Sequence, residues 1–239
     1  MNQFFTLPEH VSSTHIILTG QEAKHAAKVL RKGIGDSIYI TDGAGIRYTG
    51  EVEHIGKNEL RASIKNKHHF KTPSTTIELC LGLIRKRDRL EFAVEKATEL
   101  GVSRISLFRA DHTEPFKVRI DRIEAAVLSA MKQSLRVFLP QVNTYDSLDD
   151  LFERDLKKTL ILQADITGQE CETVNTRKEE RLMMVVGPEG GLSDREQELL
   201  KLNNALGVSL GDFRLRAETA AMMMSAIFGN KKADPFESA

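Results

Sequence analysis

Several features that announce a function class are missing from this chain. It carries two cysteines in 239 residues, Cys80 and Cys171, and they form no metal-binding or redox spacing, which removes a cysteine-built zinc site and a dithiol centre. Cys80 lies in an apolar strand and reads as a small core residue. So sparse a use of cysteine fits the reducing cytoplasm. Lys and Arg number 34 against 34 Asp and Glu, for a formal net charge of zero. Bulk charge therefore does not point to nucleic acid, although a basic patch can hide inside an even balance. No apolar run approaches the ~20 residues of a membrane span; the longest, such as Leu182-Met183-Met184-Val185-Val186, have the length of a strand. Met1-Asn2-Gln3 lacks the positive region and apolar core of a secretory leader. The dinucleotide fingerprint G-x-G-x-x-G and the P-loop G-K-[ST] are both absent, so a Rossmann dehydrogenase or an NTPase loses its main support. There is no internal repeat and no low-complexity tract.

What is present is an ordered chain. Hydrophobic residues make up 41% and charged residues 28%, a balance that argues for packed cores rather than disorder. The length admits one large domain or two smaller ones, and the pattern favours two. Residues 1–72 read as a small β-rich unit. Strands are expected at His15–Leu18, Ser37–Ile40, Gly45–Ile55 and Leu60–Ile64, with turns at Asp42-Gly43 and Gly56-Lys57-Asn58. One helix interrupts them, Gln21–Leu30, with Lys28 and Arg31 at its end and Gly33 as its stop. Lys71–Thr76 is polar, holds a proline and reads as a linker.

Residues 73–239 follow another pattern. Strands are expected at Ile77–Ile84, Arg104–Phe108, Leu160–Ala164, Leu182–Val186 and Leu206–Leu210. Helices are expected between them: Arg89–Leu100, closed by Gly101; a long helix opened by an Asp121–Glu124 capping box and closed by Pro140; and Leu148–Leu156. Alternation of strand and helix argues for an α/β domain around a parallel sheet, and such sheets bind ligands beyond the carboxyl ends of their strands.

Two glycine-rich turns lie at those ends. Gly187-Pro188-Glu189-Gly190-Gly191-Leu192-Ser193 lets the chain turn sharply and lets a ligand touch main chain, and Ser193 with Glu196 forms a capping box for the next helix. In Leu210-Gly211-Asp212-Phe213-Arg214-Leu215-Arg216-Ala217-Glu218-Thr219-Ala220, an extended backbone would project Arg214 and Arg216 to the same side. Glu218 falls in the first helical turn, where a carboxylate is favoured. Met222–Met224 reads as core. Ile84-Arg85-Lys86-Arg87-Asp88-Arg89 puts four cations at a strand end, placed equally well for phosphates or for solvent. Lys132, Gln133 and Arg136 extend the polar inventory. Six of the seven histidines fall in the first seventy residues, none with metal spacing.

Five segments in this order resemble the 16S ribosomal RNA uridine-N3 methyltransferases of the trefoil-knotted SPOUT class, the RsmE family. They are His25–Asp36 with Asp42-Gly43, Glu91–Val102, Lys132–Arg136 with Leu139-Pro140, Gly187–Ser193 and Leu210–Ala220. The resemblance implies a PUA-like RNA-binding β-barrel followed by a knotted methyltransferase domain, S-adenosylmethionine as methyl donor, no metal, 16S rRNA or the small ribosomal subunit as partner, and a homodimer. It implies a cofactor pocket at Leu162, Gly187, Glu189, Gly190, Leu210, Gly211 and Leu215. It also implies RNA contacts by Lys28, Arg31, Lys32, Arg85, Lys86, Arg87 and Arg136. Arg216 is expected to stabilise charge on the target base, with Arg214 second, and Glu218 to position or deprotonate it, with Glu189 competing. The chain departs from the family pattern at Asp212 and Phe213, where Pro and Arg are usual, and at Ala217, where Thr is common. Two rival readings remain: a non-catalytic RNA-binding protein, and a nucleotide-dependent enzyme with an unusual phosphate loop.

Overall fold

A computed structural model describes residues 2–176 and 180–229. The chain divides into two compact units. The first holds 2–72 together with Met131–Leu139; the second holds Pro73–Ala130 and the described residues from Pro140 onward.

In the first unit, β1 (Gln3–Phe5), β2 (His15–Thr19), β3 (Ser37–Thr41), β4 (Ile46–Ile55) and β5 (Glu59–His69) form one sheet in the order β1-β3-β4-β5-β2. β1 pairs with β3 in parallel; the other pairings are antiparallel. Period-2 alternation builds the core: Ile16 and Leu18, Ile38 and Ile40, Leu60 and Ala62 are all buried. The sheet curls into an open barrel. Its two edges share no ladder among the described residues, yet Thr6 Oγ1, just past β1, donates to the Ile17 carbonyl of β2 at 2.7 Å. β1 was not foreseen because three residues carry too little periodicity. β5 runs past Ile64 to His69, paired with β4 along its length.

The helix of this unit, α1 (Gly20–Lys24), continues as a wider turn through Val29. Arg31, at φ 53°, stops it rather than Gly33, with Lys32 N donating to the Ala26 carbonyl at 3.0 Å. Met131–Leu139 joins this unit through main-chain bonds: Gly45 N to Val137 O and Leu139 N to Gly43 O, both 2.9 Å. Gln3 Nε2 also reaches the Arg136 carbonyl at 2.6 Å, and Arg47 reaches that of Leu135.

The second unit contains β6 (Thr76–Gly82), α2 (Arg87–Glu99), β7 (Arg104–Phe108), α3 (Ile120–Gln133), β8 (Gln141–Tyr145), α4 (Leu148–Phe152), β9 (Thr159–Glu170), β10 (Arg181–Val186), α5 (Asp194–Leu202), β11 (Leu206–Ser209) and α6 (Ala217–Met224); the last three residues of α3 lie in Met131–Leu139 and count with the first unit. Its six strands are all parallel, in the order β11-β9-β10-β6-β7-β8. Both faces are covered. Leu79, Leu81, Met184 and Val186 pack with α2 and α6 on one face; Cys80, Met183 and Val185 pack with α4 and α5 on the other. This two-sided burial explains why the central strands read as unbroken apolar runs. Strand order reverses between β6 and β10, the position at which open α/β sheets form a crevice.

Two expectations about α3 are corrected. It begins at Ile120, before the expected capping box, and Asp121 accepts both bonds of the Arg119 guanidinium at 2.9 and 2.7 Å. It ends at Gln133, not at Pro140, because Leu135 adopts φ 58° and Arg136 N returns to the Met131 carbonyl. β8 escaped notice because it is a half-exposed edge strand with a polar sequence.

Candidate active site

A cleft of about 580 Å³ opens at the carboxyl ends of β10 and β11 and beside the middle of β9, within the ~300–1,000 Å³ range of small-molecule sites. Three loops build it, with residues from α2, α5 and α6.

The first loop follows Val186. Its approach to β6 requires Gly82: a Cβ there would lie 2.7 Å from Pro188 N and 2.5 Å from Pro188 Cδ. Gly191 N closes the bend on the Pro188 carbonyl at 3.0 Å. The expected capping box is present: Ser193 N donates to Glu196 Oε2 at 2.8 Å and Glu196 N to Ser193 Oγ at 3.2 Å. Glu196 is wholly buried, and its other oxygen accepts from Asp111 N at 3.1 Å. The Asp111 carboxylate accepts from Arg195 at 3.1 and 2.9 Å and from Ser193 Oγ at 2.5 Å. Arg195 also grips Asp149. The Arg195 hydrogen bond, then that of Ser193, holds the Asp111 carboxyl below the usual carboxylate range.

The second loop follows β11. Gly211, at φ 127°, makes a turn that a side chain would strain. Phe213, Arg214 and Arg216 are exposed. Arg216 stands in extended backbone just before α6 without a side-chain cap, while its carbonyl accepts from Ala220 N at 2.9 Å.

The third loop is a break inside β9. Gly207 pairs with Gln163 but Val208 pairs with Gln169, so 164–168 bulge out of the ladder. Asp165 Oδ1 holds the bulge by accepting from Thr167 N and Oγ1, both at 2.9 Å. Gly168 is required, since a Cβ would lie 2.4 Å from Val208 N.

Arg89, in the first turn of α2, ties the two glycine-rich loops together. Its Nη1 lies 3.3 Å from Glu189 Oε1 and its Nε 3.4 Å from Glu218 Oε1. The Glu218 side chain is only 10% exposed, and its Oε2 has no hydrogen-bond partner among the described residues.

Of the residues expected from sequence, Arg214, Arg216, Gly187, Glu189, Leu210, Gly211 and Leu215 border the cleft. Glu218 does not; it lies behind Arg89. Gly190 packs toward His112, and Leu162 is wholly buried in the core, its neighbour Gln163 reaching the cleft instead. Among the expected RNA contacts, Lys28, Arg31 and Lys86 are exposed. Lys32 donates to the Ser37 carbonyl at 2.9 Å, Arg85 pairs with Glu114 and Arg87 with Glu91. Arg136 is half-buried, and loss of solvent pushes its pKa down to about 10. It is a withdrawn guanidinium rather than an open surface cation.

Arg89, Gln163, Asp165, Ile166 and Gln197 also border the cleft and were not assigned to it from sequence. Arg89 looked like one more member of a basic run. Asp165 and Gly168 follow the expected strand Leu160–Ala164, and nothing local showed that the strand resumes to Glu170 beyond them. The described residues contain no cluster of three His, Cys, Asp or Glu suited to a metal, and no described helix is long and apolar enough to cross a membrane.

The cleft thus presents carboxylates (Glu189, Asp165), guanidiniums (Arg214, Arg216), side-chain amides and apolar wall (Val186, Leu192, Leu215) around bare main chain. Comparison with known proteins accords with it. Residues 71–229 match the model of an RNA methyltransferase domain and residues 18–65 that of an RNA methyltransferase PUA domain. Ribosomal RNA small subunit methyltransferase E of Mycobacterium bovis is 30% identical over 94% of this chain and 88% of its own length. That of Rickettsia conorii is 29% identical over 92% of both chains. The crystal structure of the Neisseria gonorrhoeae enzyme bound to S-adenosyl methionine superposes with a TM-score of 0.84 at 26% identity, covering 95% of each chain. A domain model spanning well over half the sequence, and likeness along nearly its whole length, place the chain in the ribosomal RNA small subunit methyltransferase E family.

Proposed function

We propose that this protein transfers the methyl group of S-adenosylmethionine to N3 of a uridine in the decoding region of 16S ribosomal RNA. The observation that carries this reading is the convergence of both glycine-rich loops, two exposed guanidiniums and the Glu189 carboxylate paired with Arg89 on one cleft of a parallel sheet.

The residues fit the cofactor. A cationic ligand gains from the carboxylates of Glu189 and Asp165, a flat heterocycle from the apolar wall, and polar edges from the open main chain of 187–191 and 210–215. The bound cofactor supplies an electrophilic methyl group on sulfur. The chain must then hold the uridine ring for in-line approach and accept the proton that leaves N3. Glu189 borders the cleft, whereas Glu218 is screened by Arg89. This geometry favours Glu189 as the proton acceptor and Glu218 as the group that orients Arg89. Negative charge then spreads over the pyrimidine and its two carbonyl oxygens, and the Arg216 guanidinium stabilises it, with Arg214 in support.

Lys28, Arg31 and Lys32 on the PUA-like unit, with Arg85, Lys86 and Arg87, are proposed to meet RNA phosphates; Arg136 serves that role less well from its half-buried position. A trefoil knot, a homodimer and a cytoplasmic location belong to the same reading.

Calorimetry with S-adenosylmethionine tests the first half: saturable heat is expected, and its absence would leave a non-catalytic RNA binder. Mass analysis of 16S rRNA from cells with and without the protein tests the second. One methyl group on one uridine should disappear with the protein.

A further inference from the structure

Phe213 is 83% exposed, more than any other large hydrophobic residue among those described. An isolated exposed apolar side chain means little, but Phe213 is not isolated. It borders the cleft, and so does Ile166, itself 56% exposed on the β9 bulge. These are the two large exposed hydrophobics of the described chain that face this cavity. They stand beside Arg214 and Arg216, which also border it and are open to solvent. A flat apolar surface next to uncommitted guanidiniums suits a planar ring that carries negative charge on its edge. The aliphatic residues deeper in the cleft are already packed against the core; Phe213 and Ile166 are left uncovered.

We propose that Phe213, with Ile166 of the bulge on the same cleft, forms a stacking subsite that receives the target pyrimidine of the RNA once it leaves its helix. The inference rests on the RNA-methyltransferase reading of the same cleft. Single-stranded bases are commonly held against aromatic faces, and an enzyme that acts on a ring edge must take the base out of its stack. Phe213 supplies the face, and Arg214 and Arg216 meet the edge. The groups assigned above to the cofactor on this loop are main-chain, and the Phe213 side chain is not among them, so the subsite is expected to act on RNA rather than on donor binding.

The chain contains no tryptophan, so Phe213→Trp introduces a single indole reporter at this position. Titration with a uridine-containing RNA hairpin of decoding-region sequence should quench its fluorescence, and the same hairpin with an abasic target position should not. In parallel, Phe213→Ala should raise KM for the hairpin by at least about fivefold, the lower end of one base–aromatic contact, with S-adenosylmethionine affinity unchanged by calorimetry; Phe213→Tyr should restore KM. Equal quenching by the abasic hairpin, or an unchanged KM in Phe213→Ala, overturns the subsite while wild-type methylation keeps the enzyme reading intact. A blue shift that depends on protein concentration and not on RNA assigns Phe213 to a second copy of this chain and overturns it as well. Failure of the unaltered protein to methylate the RNA sinks the enzyme reading itself.

Discussion

The two loops that meet at the cleft, Gly187–Ser193 and Leu210–Arg216, are held in opposite ways. Gly187–Ser193 is fastened at both ends: Pro188 lies against Gly82, the Ser193–Glu196 box is complete, and Asp111 binds Ser193 and Arg195 together. Leu210–Arg216 has no side-chain cap, and its Phe213, Arg214 and Arg216 stand in solvent. The contrast separates two tasks. A loop whose polar groups are satisfied internally is rigid and presents main chain at a fixed place. A loop whose cations and aromatic ring have few internal partners keeps them free for a substrate that is not yet bound. Arg89 couples the two through Glu189 and Glu218.

The largest effect should come from the open loop. Arg216→Ala is expected to lower kcat by roughly 10²–10³-fold, the usual loss for one charge-stabilising donor, with an unchanged melting curve, since the Arg216 side chain is exposed and makes no hydrogen bond or ion pair among the described residues. A single-turnover methylation assay checks it, and normal turnover would reassign the guanidinium role to Arg214.

Cutting the coupling should come next. Arg89→Ala leaves the nearly buried Glu218 carboxylate without its cation. A cost of about 2 kcal/mol is expected, below the ~3–5 of a fully buried pair because Arg89 keeps 22% of its side chain exposed. Denaturant unfolding of Arg89→Ala, Glu218→Gln and the double variant gives the cycle. Additive losses would show that the two loops are not coupled through this pair.

A change in the fastened loop should weaken the scaffold and spare the chemistry. Ser193→Ala removes the cap of α5 and a bond to Asp111, for about 1 kcal/mol, with kcat nearly unchanged. A large fall in kcat without loss of stability would contradict the division of tasks.

The smallest effect is in pH. The Asp111 carboxyl lies below its ordinary value in the folded chain, so it contributes stability above the unfolded carboxylate pKa of ~4. That contribution is lost as pH falls through the lower folded value. Acid unfolding of Arg195→Ala should be less steep in that window than that of the parent. The partial exposure of both partners keeps the difference small.

Much of the architecture was legible because its signals are local. The alternation of strand and helix announced a parallel sheet, and the spacing of Leu90, Ala93, Val94 and Ala97 announced the buried stripe of α2. The Ser193–Glu196 cap could be read from four residues. The cleft residues Gln163, Asp165 and Ile166 could not, because a register break between β9 and β11 depends on the partner strand. Arg89 and Arg136 show the same limit: each sat among cations in sequence, and packing turned one toward two carboxylates and withdrew the other from solvent.

From the sequence alone came the alternation of strand and helix in the second unit, the positions of both glycine-rich loops and the residue types that carry the chemistry, all set by short-range periodicity and turn geometry. The tertiary structure decided which strands are neighbours, that α3 stops at Gln133 so that 131–139 can bond to the first unit, and that Glu218 lies behind Arg89 rather than on the cleft. Those outcomes follow from contacts between residues far apart along the chain, whose energies no local pattern records.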